Sequence, residues 1–175
     1  MRIGQPATQR VGQDVLGLSG VKIVIWLEGI NDLGAAGSTP EAVIAGYQQV
    51  VGALHAAGVK VIGATVTSSL APGGRAPANS PLALLSPTFA ATFGGAEVNA
   101  HRMRLNAFIL TSGTFDATAD FAAATTDPAT GTLYARFVPN SGGTAGDYLH
   151  LNRAAYQAMG VAAANAVLQL ISASR

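Results

Sequence analysis

The sequence predicts an α/β fold built on a parallel β-sheet, and two observations lead to this expectation. Two apolar runs rich in β-branched residues lie at 21–27 and 59–67, and one amphipathic segment at 38–58 separates them. A strand, a helix and a second strand in this order are typical of parallel strands joined by a right-handed crossover. The 175 residues fit one domain, 1–175, at the usual ~100–200 residues per domain.

The first elements have clear local signals. A short helix is expected over 5–16, and the nearly continuous apolar run at 21–27 predicts a strand buried on both faces of its sheet. The Ser-Thr-Pro-Glu sequence at 38–41 predicts a helix start, because a hydroxyl N-cap is followed by proline and an acid. Gly58 predicts the end of that helix.

The second half of the chain alternates loops with helices. The expected elements are a long loop at 68–95, a helix at 96–110, a weaker strand at 115–121, a loop at 127–146, and a last helix capped by Asn152. His101, Arg102 and Arg104 on the helix at 96–110 predict a solvent-exposed face.

Composition excludes several classes of function. Hydrophobic residues make up 49% of the chain and charged residues 11%, which argues against intrinsic disorder. Ten Lys and Arg against nine Asp and Glu leave no basic excess, so no nucleic-acid partner is expected. There is no cysteine and the three histidines are scattered, so neither a metal nor a cofactor is expected.

Hydropathy along the chain predicts no membrane span. The apolar runs at 21–27 and 161–171 are shorter than the ~18 residues that a spanning segment needs. The first six residues lack the apolar core of a signal peptide. The cellular compartment therefore stays unknown at this stage.

Candidate site residues follow the predicted strands or precede the last helix. Ligands of parallel α/β proteins bind at the carboxyl ends of the strands. Three polar clusters are expected to converge there: Gly29 to Asp32, Thr65 to Ser69, and Asp147 to His150.

Asp147 and His150 are spaced for an acid–imidazole pair. A catalytic imidazole needs an acceptor at Nδ1 to fix its tautomer, and an aspartate three residues earlier on a tight turn supplies one. The alternative interpretation is a structural cap of the following helix.

Asn31 and Gly29 also allow two interpretations. An asparagine side chain at the end of a strand can donate a hydrogen bond to a developing oxyanion, and a glycine beside it permits a sharp turn. The alternative is an Asx-turn, in which Asn31 and Asp32 satisfy their own backbone.

Two motifs together resemble one family. The segment at 24–34, Val-Ile-Trp-Leu-Glu-Gly-Ile-Asn-Asp-Leu-Gly, resembles the third conserved block of the SGNH hydrolases, also called the GDSL esterase/lipase family. Asp-Tyr-Leu-His at 147–150 resembles their last block, and the tail at 151–160 is similar as well. The resemblance covers the chain from about Val11 onward.

The resemblance implies a three-layer, flavodoxin-like fold and hydrolysis of carboxylic esters. By that resemblance His150 is the general base, Asp147 its orienting acid and Asn31 an oxyanion donor, with Gly29 shaping the turn. The low charge content favours small, neutral ester substrates.

One block of the family is not found. The nucleophilic serine of the family lies in a Gly-Asp-Ser block at the end of the first strand, and the sequence holds no such block. The chain therefore resembles an N-terminally truncated member that lacks its first strand, first helix and second strand. Three possibilities stay open: Ser68 or Ser69 replaces the nucleophile, His150 activates water directly, or the chain is a non-catalytic, oligomerising remnant or fragment.

The same departure predicts self-association. Without a neighbouring strand, the run at 21–27 forms an apolar sheet edge, which is a template for pairing with another chain. We expect a homo-oligomer through this edge or an adjoining helix face, unless residues 1–6 or the loop at 68–95 cover it.

Overall fold

The centre of the fold is a parallel β-sheet. The structure is a computed structural model, and it describes residues 5–34, 38–74, 93–139 and 146–173. In these residues the strands, in the order β1-β2-β3, are β1 (Ile23–Trp26), β2 (Lys60–Ala64) and β3 (Ala117–Ala119). Both strand pairs are parallel, with Ile25 opposite Ile62 and Ile62 opposite Ala117. The predicted parallel α/β sheet is confirmed.

Helices surround this sheet. In the described part of the chain the α-helices are α1 (Ala7–Val11), α2 (Ile30–Leu33), α3 (Pro40–Ala56), α4 (Ala96–Thr111), α5 (Phe121–Thr125) and α6 (Arg153–Ala173). A π-helical segment, Gly12–Leu16, continues α1, and short 3₁₀ turns lie at Pro72–Gly74 and Ala135–Phe137. Most of the predicted loop at 68–95 falls outside the described residues.

Local capping signals define the ends of the two longest helices. The Thr39 hydroxyl accepts a hydrogen bond from the N–H of Ala42 at 3.2 Å, and Pro40 is the first residue of α3. Gly58, with φ of 73°, follows the end of α3. The Asn152 side chain accepts from the N–H of Ala155 at 3.2 Å and so caps α6. These boundaries confirm the predictions made from 38–41, Gly58 and Asn152.

The core has two halves because successive residues of β2 point to opposite faces of the sheet. Val61 packs in one half with residues of α3 and α4, which include Val50, Leu54 and Leu105. Ile62 packs in the other half with residues of α6, which include Met159 and Ala166. Helices on both faces of a parallel sheet give the predicted three-layer arrangement.

The prediction that the first strand is buried on both faces is wrong. Trp26 of β1 is buried, but Ile25 is 43% exposed and Leu27, directly after the strand, is 39% exposed. The reason is the position of the strand: β1 lies at the edge of the sheet, and α6 packs mainly on β3. One face of β1 is therefore left largely uncovered in the described structure.

The prediction of a solvent-exposed basic face on α4 is wrong for one residue. Arg104 is exposed and pairs with Glu41, whereas Arg102 is only 5% exposed. The Arg102 guanidinium turns inward, where Nη1 donates to the carbonyl oxygen of Val66 at 3.1 Å. The hydrogen bond to Val66, in the loop after β2, thus explains why the Arg102 side chain points inward.

Helix α6 is long and apolar. Within the described residues it is the one helix whose length and composition would allow it to cross a membrane. Ala155, Met159, Ala166 and Leu170 are buried on one side of this helix, whereas Val161 and Leu168 are exposed. Length and composition alone therefore do not make α6 a membrane span.

Candidate active site

Asp147 and His150 form a close pair before the last helix. Nδ1 of His150 lies 2.6 Å from Oδ2 of Asp147. The Asp147 side chain is 1% exposed, and the His150 side chain is 55% exposed. A buried carboxylate thus holds an imidazole that solvent can reach.

The local backbone creates this geometry. Oδ1 of Asp147 accepts hydrogen bonds from the N–H groups of Leu149, at 3.0 Å, and His150, at 2.8 Å. Tyr148, between them, has φ of 61°, and Gly146 has φ of 103°. A Cβ on Gly146 would lie 2.4 Å from the carbonyl oxygen of Val138, so glycine is required there. The turn therefore brings the carboxylate back to the ring three residues later.

The contact between the two side chains favours an ionised Asp147 and a protonated His150. Burial disfavours the ionised form of Asp147, but hydrogen bonds from His150 and from two backbone N–H groups outweigh burial and lower the pKa of Asp147. The hydrogen bond to Asp147 raises the pKa of His150 above its ordinary 6.5, although partial burial opposes that shift. When His150 is neutral, Nδ1–H donates to the carboxylate and Nε2 holds the free lone pair.

The second nitrogen of the ring is accessible for chemistry. Among the described residues, Nε2 of His150 has no hydrogen-bond partner. An exposed imidazole with a lone pair on Nε2 and a buried carboxylate on Nδ1 is the arrangement of a general base.

Gly29 and Asn31 lie at the end of β1, next to a different cavity. Gly29 precedes α2 with φ of 103°, and an added Cβ would lie 3.0 Å from the Leu105 side chain. Asn31 lines a cavity of about 510 Å³ together with Trp26 and Tyr47. His150 is not among the residues that line this cavity, so the structure does not show the predicted convergence of Asn31 with the Asp–His pair.

Ser68 and Ser69 are buried and engaged elsewhere. The Ser68 hydroxyl donates to the carbonyl oxygen of Gly131 at 2.6 Å, and the Ser69 hydroxyl donates to that of Phe93 at 2.8 Å. Their exposures are 0% and 1%. Both hydroxyls therefore have structural hydrogen bonds in place of the free position that a nucleophile requires.

A second Asp–His pair joins α3 to the segment before β3. Oδ2 of Asp116 lies 2.8 Å from Nε2 of His55 and also accepts from the N–H of Val61 at 2.8 Å. Lys60 Nζ donates to Oδ1 at 2.8 Å. The sequence distance between His55 and Asp116 hides this pair from any short motif.

No metal centre is visible in the described residues. In that part of the chain no three His, Cys, Asp or Glu side chains lie close enough together to hold an ion.

The fold and the pair identify the kind of protein. The described chain is an α/β protein with parallel strands between helical layers and an Asp–His pair before the last helix. A family model for GDSL-like lipases and acylhydrolases matches residues 2–158. The chain belongs to the GDSL-like lipase/acylhydrolase family.

Two solved structures share the fold of this chain. A candidate acylhydrolase from Bacteroides fragilis aligns with 95% of this chain and 68% of its own, at 16% identity and a TM-score of 0.63. A GDSL-like lipase from Bacteroides thetaiotaomicron aligns with 96% of this chain and 70% of its own, at 14% identity and a TM-score of 0.64. At these identities the likeness shows the fold alone. A search of curated proteins found no match.

Proposed function

We propose that the chain hydrolyses small, neutral carboxylic esters, with His150 as the general base and Asp147 as the residue that orients it. The observation that carries the proposal is the 2.6 Å contact between the buried Asp147 carboxylate and Nδ1 of the exposed His150 ring. Membership of the acylhydrolase family supports the reaction class.

Water is the nucleophile that this proposal favours. In the described residues no hydroxyl contacts Nε2 of His150, and Ser68 and Ser69 donate to backbone carbonyls. Nε2 would accept a proton from water while the water oxygen attacks the ester carbonyl carbon. The tetrahedral intermediate then expels the alkoxide, which takes the proton from the imidazolium, so the products are a carboxylic acid and an alcohol.

Asn31 is the proposed donor to the carbonyl oxygen of the ester. It lines the cavity at the end of β1, which His150 does not line, so this role requires the two side chains to reach the same ester carbonyl, where an amide N–H would stabilise the charge that develops on the oxygen. Gly29 supports this role by turning the chain at the start of α2.

Hydrolysis of p-nitrophenyl acetate and butyrate tests the proposal. We expect His150→Ala to reduce the rate at least ~100-fold, the lower end of what a general base contributes. His55→Ala is the matched control, because His55 is also partly exposed and also contacts an aspartate. If any exposed imidazole could hydrolyse the ester, the rates of His150→Ala and His55→Ala would fall by the same factor.

The serine variants separate the mechanisms. Ser68→Ala and Ser69→Ala should keep the rate of the folded protein, because their hydroxyls are buried and hydrogen-bonded. A folded serine variant that loses activity together with His150→Ala would show a serine nucleophile and contradict the water mechanism. Equal rates for the wild type and His150→Ala would contradict the hydrolase proposal itself.

A second candidate function is self-association through β1. In the described residues β1 pairs with β2 only, and its outer edge has no strand beside it. Ile25 and Leu27 expose apolar surface there. We propose that a second copy occupies this edge, because a two-fold axis brings two identical edges together and pairs the free N–H and C=O groups of both.

Light scattering after size exclusion tests the association. Ile25→Lys should shift the mass toward the monomer, because it places a charge on the exposed face of β1. Leu110→Lys is the matched control, since Leu110 is 44% exposed on α4. A single monomer mass for the wild type at all concentrations would contradict this second candidate.

A further inference from the structure

Arg102 is a buried cation on α4 with unused hydrogen-bonding capacity. Its side chain donates from Nη1 to the Val66 carbonyl, and from Nε and Nη2 to Oδ1 of Asn99 at 3.1 and 2.8 Å. A guanidinium has five N–H bonds, so two have no partner among the described residues. The residue is 5% exposed, so most of its surface is removed from bulk solvent.

Within the described segments, the charge of Arg102 also lacks a counter-ion. All nine Asp and Glu residues of the sequence fall in the described segments. None of the ion pairs in those segments, at 4.0 Å or closer, includes Arg102. Burial lowers the pKa of Arg102, yet a guanidinium keeps its proton in proteins. A buried charge without compensation is costly, so an anion from outside would be stabilised here.

A cavity of about 370 Å³ lies beside this cation. Its lining consists of Arg102, Ala122, Ala123, Thr126, Pro128 and Tyr134. The Thr126 hydroxyl is buried and has no hydrogen-bond partner in the part of the chain that the structure describes. Arg102 and Thr126 thus line one cavity, and most of the other described lining residues are apolar.

We propose that this cavity binds a small organic monocarboxylate, whose carboxylate contacts Arg102 and Thr126 and whose short hydrocarbon chain lies against Ala122 and Pro128. One cation balances a single negative charge, and the planar carboxylate matches the donors of a guanidinium. A phosphate dianion would bring a second charge into a largely apolar cavity, where nothing compensates it.

This inference goes beyond the proposed hydrolase function. His150 and Asp147 are not among the residues that line the cavity. Ester hydrolysis releases a carboxylic acid, which is the same class of molecule. Binding can nevertheless be measured in the absence of any ester, so the two proposals fail separately.

The test is a titration of the full chain with sodium butyrate at constant ionic strength, followed by amide chemical shifts. We expect a saturable shift at Ala122, Ala123 and Thr126 with a Kd of about 1 mM, as befits a ligand with few atoms. Thr126→Val should weaken binding ~10-fold, because it removes one hydrogen bond to a charged ligand. Thr111→Val on α4 should bind as the wild type does, because the Thr111 hydroxyl donates to its own helix at Ala107.

Further arms make the result decisive. Arg102→Lys should weaken butyrate binding more strongly than Thr126→Val, and Thr126→Val carries the test if the arginine variant does not fold. Inorganic phosphate should bind at least ~10-fold more weakly than butyrate. Three results would overturn the proposal: no saturable shift up to about 100 mM butyrate, unchanged affinity in Thr126→Val, or phosphate binding that equals that of butyrate.

Discussion

The carboxylate of Asp147 holds both the ring and the backbone of His150. Oδ2 lies 2.6 Å from Nδ1 of the imidazole, and Oδ1 accepts from the N–H of the same residue at 2.8 Å. One aspartate therefore fixes the tautomer and the position of the histidine, and leaves Nε2 toward solvent.

The pKa of His150 should lie above 6.5. The rate of ester hydrolysis should increase as the pH rises through this raised pKa. The reason is that a general base works only when Nε2 is deprotonated. NMR titration of the three histidines and the pH dependence of the rate check this. In Asp147→Asn the pKa of His150 should decrease, because the folded state would no longer favour the protonated imidazole. An unchanged His150 titration in Asp147→Asn would contradict the coupling.

The same shift predicts how this pair contributes to stability. Protonated His150 is favoured in the folded state, so its contribution is fully present below pH 6.5 and is lost as the pH rises through the raised pKa. The difference between the free energies of unfolding of the wild type and His150→Ala should therefore decrease above that pH. Urea unfolding at several pH values measures it.

Asp116 should contribute to acid stability. Burial opposes its ionisation, but hydrogen bonds from Lys60, Val61 and His55 lower the pKa of Asp116 to about 2. Its contribution is thus present above the ordinary value of 3.8 and is lost as the pH falls through about 2. Asp116→Asn should lower the free energy of unfolding at pH 7 by about 1–2 kcal/mol.

Chemical denaturation at pH 7 and pH 2 checks the Asp116 prediction. Glu97→Gln is the control, because Glu97 is exposed at the start of α4. A cost for Asp116→Asn that is equally large at both pH values would argue against an ionic contribution.

Gly63 should not tolerate a side chain. A Cβ at this position of β2 would lie 2.6 Å from the ring of Phe115, which is buried in the core. Gly63→Ala should therefore cost about 1–3 kcal/mol in the free energy of unfolding through overpacking.

Gly52 is the matched control for this substitution. It lies within α3 with nothing inside 4 Å of the position of an added Cβ. Gly52→Ala should stabilise the protein by about 0.5–1 kcal/mol, because alanine favours the helix. Equal effects of the two substitutions in urea unfolding would contradict the packing described around β2.

Asn106 should be essential for the loop after β2. Its Oδ1 accepts from the N–H of Val66 at 2.7 Å, and its Nδ2 donates to the carbonyl oxygen of Val66 at 2.9 Å. Asn106→Ala leaves a buried N–H without an acceptor, so we expect a loss of about 2–3 kcal/mol in the free energy of unfolding. Asn165→Ala on the exposed side of α6 should be close to neutral, and thermal unfolding of both compares them.

Features encoded within a few residues could be predicted from the sequence. The caps at Thr39 and Asn152 each join residues three positions apart. The Asp147–His150 contact also spans three positions, so a short motif was enough to locate it. The assignment of 1–175 to one domain and the catalytic roles of these residues stay predictions.

Features that join distant segments could not be predicted in this way. Arg102 contacts Val66 across 36 positions, and Ser68 contacts Gly131 across 63. Arg102 was expected in solvent and Ser68 at an accessible site at the end of a strand. Each motif was interpreted without the segment that packs against it. The helical periodicity of α4 carried a signal that the sequence interpretation missed: Arg102 lies four residues after Val98 and three before Leu105, which are both buried.

The sequence by itself determined the order of the three strands and the long helices, the ends of the main helices and the family resemblance, because these depend on neighbouring residues and their periodicity. Only the tertiary structure decided which polar groups are buried, which face of β1 is open, and that Arg102 and Thr126 line one cavity. The physical reason is that burial and long-range hydrogen bonds depend on how separate segments pack, and that packing is a property of the whole chain.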